Sequence, residues 1–205
     1  MKLPSNFNSV KGFIDHDEGI CLYNHALSSS KKGPILEIGS YCGKSTIYLG
    51  SAAKEFNGCV YSVDHHTGSE ENQIGWEYHD KDLFDNETGR INSFPEFMRN
   101  IRKADLLDTV IPIVSDSSLV SRYWNIPLSM LFIDGGHTMD AAMSDYNNWY
   151  DKIISDNGIL AIHDVFPNPD DGGRPPYEIY KLALSSDKFE EIESVKSLRI
   201  LRRLN

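Results

Sequence analysis

Long apolar runs are missing from this sequence. None approaches the ~18 residues that would cross a bilayer, and the opening Met-Lys-Leu-Pro-Ser-Asn-Phe-Asn lacks the apolar centre of a signal peptide. Cysteine is scarce: Cys21, Cys42 and Cys59 are odd in number and show no CxxC spacing. That excludes a disulfide framework and a zinc knuckle, and fits reduced thiols in a cytosolic protein. Basic charge is short as well, with 20 Lys and Arg against 30 Asp and Glu for a net charge of −10. A phosphate backbone or an anionic membrane surface would find no basic face to meet. Repeats and low-complexity segments are absent. The expectation is a cytoplasmic protein without a nucleic-acid or membrane partner.

What is present suits one globular domain over residues 1–205, with 40% hydrophobic residues and length enough for a sizeable core. Strands and helices alternate. Ile35–Ile38 reads as a buried strand and Thr46–Phe56 as a helix, followed by a strand at Cys59–Val63 ending in Asp64. Ser93-Phe94-Pro95-Glu96 has capping-box spacing and opens a helix. Val110–Val114 is a strand, Ser118–Trp124 a short helix, and Met130–Ile133 a strand ending in Asp134. The next helix carries Ala142, Tyr146, Trp149, Tyr150 and Ile153 and stops at Asn157-Gly158. Ile159–Ile162 is a strand ending at His163-Asp164. A helix near Tyr177–Leu184 follows, then strands Phe189–Ile192 and Leu198–Leu201, which have no helix between them and so form an antiparallel edge hairpin. Strand–helix repetition implies a parallel sheet covered on both faces. A helix near Glu18–Leu27, within an N-terminal extension 1–32, is expected to pack outside this core.

Residues 67–92 break the rhythm, with seven acidic residues against Lys81 and Arg90. Loops this long inside a domain are commonly functional or disordered. Trp76, Tyr78 and His79 favour a lid over a ligand.

The strand-to-helix turn at Glu37-Ile38-Gly39-Ser40-Tyr41-Cys42-Gly43-Lys44-Ser45 is the most informative stretch. Its Gly-Lys-Ser ending invites a nucleoside-triphosphate reading. That motif needs four residues between its glycines, whereas only Ser40, Tyr41 and Cys42 separate Gly39 from Gly43. Glu37 would also repel a triphosphate. Tyr41 stands where a dinucleotide fingerprint needs glycine. A ligand with a cationic end and a ribose fits better: Glu37 faces the cation, Asp64 accepts the ribose hydroxyls, and Asp116-Ser117 meets an adenine edge.

Glu37-x-Gly39-x-x-x-Gly43, then Asp64, then Asp116, resembles the binding sequence of class I S-adenosylmethionine-dependent methyltransferases. The resemblance runs from about residue 33 to the end. It implies a Rossmann-like α/β fold with a seven-stranded, mostly parallel sheet and a terminal antiparallel hairpin. It also implies cofactor contacts at Glu37, Gly39, Ser40, Tyr41, Gly43, Ser45, Asp64, His65, Asp116, Ser117 and Asp134. Within the superfamily, Asp134-Gly135-Gly136-His137, Asp145, Trp149, Gly158 and His163-Asp164 resemble a bacterial subgroup related to metal-dependent O-methyltransferases. That likeness implies metal ligation at Asp134, His163 and Asp164, where the family usually has an acid at the position of His163. Imidazole suits Mn, Fe or Zn better than Mg.

Methyl transfer from a sulfonium requires the acceptor to be positioned and, if it is a hydroxyl, deprotonated. The expected catalytic residues are Asp134, His137 and His163, acting through a divalent metal or through a metal-free histidine base. Both His163 and Asp164 can face the site only if the strand has ended. Arg174 either grips an acidic acceptor or pairs with Asp170 or Asp171. Asp145 reads equally as a structural or a functional carboxylate. The reading is S-adenosylmethionine-dependent O-methylation of a small molecule, a sugar or secondary metabolite, with a homo-oligomer left open. Its rivals are a metal-dependent hydroxylase- or hydrolase-type enzyme on the same fold and a non-enzymatic nucleotide-binding module.

Overall fold

In the computed structural model, described at residues 3, 7–68, 80–168, 171 and 174–204, strands and helices alternate along the chain. The order is α1 (His16–Ser29), β1 (Ile35–Ile38), α2 (Lys44–Lys54), β2 (Val60–Asp64), the two-residue strands β3 (Phe84–Asp85) and β4 (Arg90–Ile91), and α3 (Phe94–Lys103). Then come β5 (Val110–Val114), α4 (Ser117–Ser121), β6 (Met130–Ile133), α5 (Met139–Trp149), β7 (Ile159–Ile162), α6 (Pro175–Ser185), β8 (Phe189–Val195) and β9 (Leu198–Arg203). The main sheet has seven strands in the order β5-β2-β1-β6-β7-β9-β8. β5, β2, β1, β6 and β7 run parallel, while β9 pairs antiparallel with both β7 and β8. From β1 the chain first winds outward through β2 and β5, then crosses to β6 and β7 on the other side. The carboxyl ends of β1 and its neighbours therefore form a topological switch point, where open parallel sheets bind ligands.

The four-residue strands β1, β6 and β7 are buried at every position, as expected when helices cover both faces. Alternation still decides which face each side chain serves. Ile35, Met130, Phe132, Ile159 and Ala161 pack with α1, α2 and α3. Leu36, Ile38, Leu131, Ile133, Leu160 and Ile162 pack with α5 and α6.

Three expectations need correction. Helix α1 is not outside the core: Cys21, Leu22, Tyr23 and Ala26 are buried in the first of these clusters. Ser93 makes no side-chain cap on α3, because its hydroxyl lies 2.8 Å from His66 Nδ1. Helix α5 stops at Trp149, and Tyr150–Lys152 forms one 3-10 turn. The chain then bridges Ile153 to Leu128, so Asn157-Gly158 shapes the turn into β7 rather than capping a helix. The lid expected over 67–92 falls partly on residues 69–79, and Trp76, Tyr78 and His79 lie outside the described residues. Its described end is a 3-10 turn at Lys81–Leu83 and the β3–β4 pair, whose Leu83 and Ile91 pack on Cys42.

Candidate functional site

A cavity of about 970 Å³ opens at the switch point. Gly39, Ser40, Tyr41, Ser45, Asp64, His65, Asp116 and Ser117 line one part, and Asp134 to His137, Asp145 and Asp164 line another. Gly12, Phe13 and Ile14 close it from the N-terminal side. Nothing in the sequence pointed to that wall.

The loop after β1 is held by Asp64. Its Oδ2 accepts the Ser40 and Tyr41 backbone N–H groups at 2.8 Å each, and Oδ1 accepts His66 N–H at 2.7 Å. Gly39 turns the chain at φ 83° so close to β6 that a Cβ would lie 2.1 Å from the Asp134 carbonyl oxygen. Only glycine fits there. Gly43, at φ 89°, forms the N-cap of α2. Ser40 lines the cavity, and its buried hydroxyl has no hydrogen-bond partner among the described residues. A buried polar atom in that state suits a polar ligand. Asp116 caps α4 through Ser118 N–H and Leu119 N–H, which leaves its carboxylate at the cavity rim. Ser117 donates to Asp145, whose carboxyl burial pushes up to about 6 against that bond. Asp145 therefore belongs to the cavity wall, with Gly135 packed directly against it.

Glu37 departs from its expected place. Strand alternation turns it away from the cavity and under the first turn of α2, where it is fully buried. Ser45 Oγ and Thr46 Oγ1 donate to it at 2.5 Å each, and Ser62 Oγ at 3.3 Å. Burial pushes its carboxyl up to about 8, with the three hydroxyls only partly opposing. It supports the loop from behind and does not line the cavity. The sign of its pH effect follows. The unfolded chain releases this proton above about 4.5, the folded chain only near 8, so stability falls as pH rises through that window. The unfolding free energy of the parent minus that of Glu37→Gln should drop by ~1.4 kcal/mol per pH unit across it. Urea denaturation at several pH values measures this, and a flat difference would refute it.

At the other end, β7 ends at Ile162 and Asp164 adopts φ 56°, so the chain has turned before Asp164 reaches the cavity. His163 does not follow it there. It continues the Ile159, Ala161 alternation toward α1 and is 3% exposed. Its Nδ1 lies 2.9 Å from Asp134 Oδ1 and its Nε2 3.1 Å from Glu18 Oε2. Burial works against its charge, but Asp134, Asp164 and Glu18 outweigh that and raise its pKa well above 6.5. With both nitrogens engaged by carboxylates, His163 is corrected from metal ligand and catalytic base to the buried cation that anchors Asp134.

His137 stands on the cavity side of the two acids. Asp134, His137 and Asp164 each bring a ligand atom within 4.8 Å of the others, and His137 Nε2 lies 3.2 Å from Asp164 Oδ2. Burial would raise Asp164, yet its bonds to His137 and His163 dominate and keep it ionised. Two carboxylates and one imidazole on a half-buried rim form a donor set for Mn, Fe or Zn.

Glu18 is the residue that sequence reasoning missed. Its spacing from Asp15 marks a capping box, which the structure contains, and nothing local hints at a second task. Oε1 accepts Ser197 N–H, Ser197 Oγ–H and Leu198 N–H at 2.9, 2.8 and 3.2 Å, so one carboxylate ties α1, the β8–β9 turn and His163 together. Arg174 pairs with Glu178 and stacks on Tyr177, and Asp170, one of the two partners expected for it, lies outside the described residues. His65 reaches the cavity, whereas His66 is buried against Phe94 and Phe97.

Known proteins share this architecture. The chain is similar to cofactor-bound Rv0187 from MTB, at 14% identity and TM-score 0.68, covering 100% of this chain and 85% of that one. It is similar to the O-methyltransferase from Bacillus cereus in complex with SAH, at 15% identity and TM-score 0.65, covering 97% and 86%. The O-methyltransferase TomG from Streptomyces achromogenes, involved in tomaymycin synthesis and solved with SAM, matches at 15% identity and TM-score 0.65, covering 94% and 82%. Identities this low carry the fold alone. A family model described as a methyltransferase domain matches residues 36–165, from β1 to the turn after β7. That match spans more than half of the chain, which therefore belongs to this methyltransferase domain family.

Proposed function

We propose that the protein transfers the methyl group of S-adenosylmethionine to an oxygen of a small molecule, a sugar or hydroxylated secondary metabolite. The observation that carries this reading is the cavity itself. One space joins the glycine loop, Asp64 and Asp116 to the Asp134–His137–Asp164 cluster. A cofactor at the first group would present its methyl toward the second.

The chain's own groups fit these tasks. The unpartnered Ser40 hydroxyl and the rim carboxylates of Asp64 and Asp116 offer the cofactor its polar contacts. The ionised Asp164 gives the far end a negative charge that suits a sulfonium and a metal alike. A divalent cation held by Asp134, His137 and Asp164 would supply Lewis acidity to an acceptor hydroxyl. His137, oriented by Asp164 at 3.2 Å, is placed to take the hydroxyl proton where no metal is bound, and this supports the base mechanism as a second reading.

Calorimetry with S-adenosylhomocysteine, ATP and NAD tests the cofactor. Micromolar binding of the first alone is expected, and its failure to bind would end the proposal. Dialysis against a chelator then separates the two mechanisms. Loss of methyl transfer that Mn(II) restores supports the metal, and unchanged turnover supports the histidine base.

A further inference from the structure

A second set of unlike ligand groups converges outside the methyl-transfer cavity. Cys21 and His25 lie four residues apart on α1, so they share one face of the helix one turn apart. Glu193 reaches them from the edge strand β8, where a bulge between Glu191 and Glu193 interrupts the pairing with β9. Bulges re-aim side chains in this way. His25 Nε2 lies 2.8 Å from Glu193 Oε2, and one thiol, one imidazole and one carboxylate atom lie within 4.8 Å of one another.

We propose that Cys21, His25 and Glu193 form a binding site for a thiophilic divalent cation, zinc above all. Sulfur, nitrogen and oxygen donors together select zinc-like metals over Mg or Ca. Three protein ligands leave a fourth tetrahedral position for water. The burial gradient suits entry from solvent: Cys21 is 4% exposed at the inner end, while the Glu193 side chain is 48% exposed at the outer end. Burial and the neighbouring Glu193 carboxylate push the thiol up to about 12. A dication reverses both causes, because it pairs the buried thiolate and neutralises the carboxylate, and the thiol proton leaves to solvent as the metal binds. The site would pin α1 to β8. Helix α1 also carries Glu18, which reaches His163, so a cation there would stiffen the helix that anchors Asp134.

Cobalt(II) added to the reduced full chain tests this directly. Thiolate ligation gives a near-ultraviolet charge-transfer band, and the sulfur-free Asp134–His137–Asp164 cluster is silent in it. One equivalent of cobalt should develop the band, and zinc should bleach it. Cys21→Ser should abolish the band, while His25→Ala and Glu193→Gln should each weaken binding by about tenfold or more. Absence of the band in the parent overturns the proposal. So does a band that persists in Cys21→Ser, which would assign it to Cys42 or Cys59. Should Cys21→Ser fold poorly, the exposed Glu193→Gln decides: an unchanged binding midpoint also overturns the site.

Discussion

His137→Ala is expected to lower methyl transfer by about a thousandfold, the loss that follows removal of a general base or of a ligand to an activating metal. S-adenosylhomocysteine should bind the variant as it binds the parent. His137 stands at the Asp164 end of the cavity, whereas the glycine loop is held independently by Asp64. Calorimetry measures the binding, and S-adenosylhomocysteine release across a panel of sugars and hydroxylated metabolites measures the transfer. Mn(II) titration of the same variant separates the two roles. Weakened metal binding marks a ligand, and unchanged binding with lost turnover marks a base. Near-parental turnover would remove His137 from the chemistry altogether.

Removing Glu18 should damage the fold more than any other single truncation in the site. Glu18→Ala leaves the buried His163 cation facing an empty position and strips acceptors from Ser197 and Leu198. Breaking a buried charge pair in this way costs about 3–5 kcal/mol, which corresponds to a fall of roughly 10 °C in Tm for a chain of this size. The acid limb carries the same signature. Burial by itself would raise the Glu18 carboxyl, but the His163 bond and charge prevail and hold it at about 2, against an ordinary 4.5. A depressed carboxyl contributes stability that is present above about 4.5 and is lost as pH falls toward 2. That contribution is about 3 kcal/mol. The gap between the parent and Glu18→Gln should therefore close over this window in urea denaturation. A gap that stays constant from pH 5 to pH 2 would show that Glu18 and His163 are not an ion pair.

Most of the fold is written locally. Val110–Val114, Met130–Ile133 and Ile159–Ile162 are strands with the boundaries their apolar runs suggest, because each is short, branched and flanked by polar turns. The glycine loop was equally legible, since Gly39 and Gly43 take positive φ values that few other residues tolerate. Errors cluster where one residue had two possible partners. Ser93 had capping-box spacing, yet His66 lay closer in space. Glu37 sat in the right motif, and its carboxylate was claimed by Ser45, Thr46 and Ser62 behind the loop.

The alternating α/β plan, the glycine turn after β1 and the acids at the strand ends follow from residue periodicity and backbone conformation over short spans, and so were legible in the chain alone. Which way those side chains point depends on packing between elements far apart in the chain. In a sheet buried on both faces, apolar pattern cannot say which helix a given residue meets. His163 therefore turned out to face Glu18, 145 residues away in the chain. On the cavity side of Asp134 and Asp164 the imidazole is that of His137.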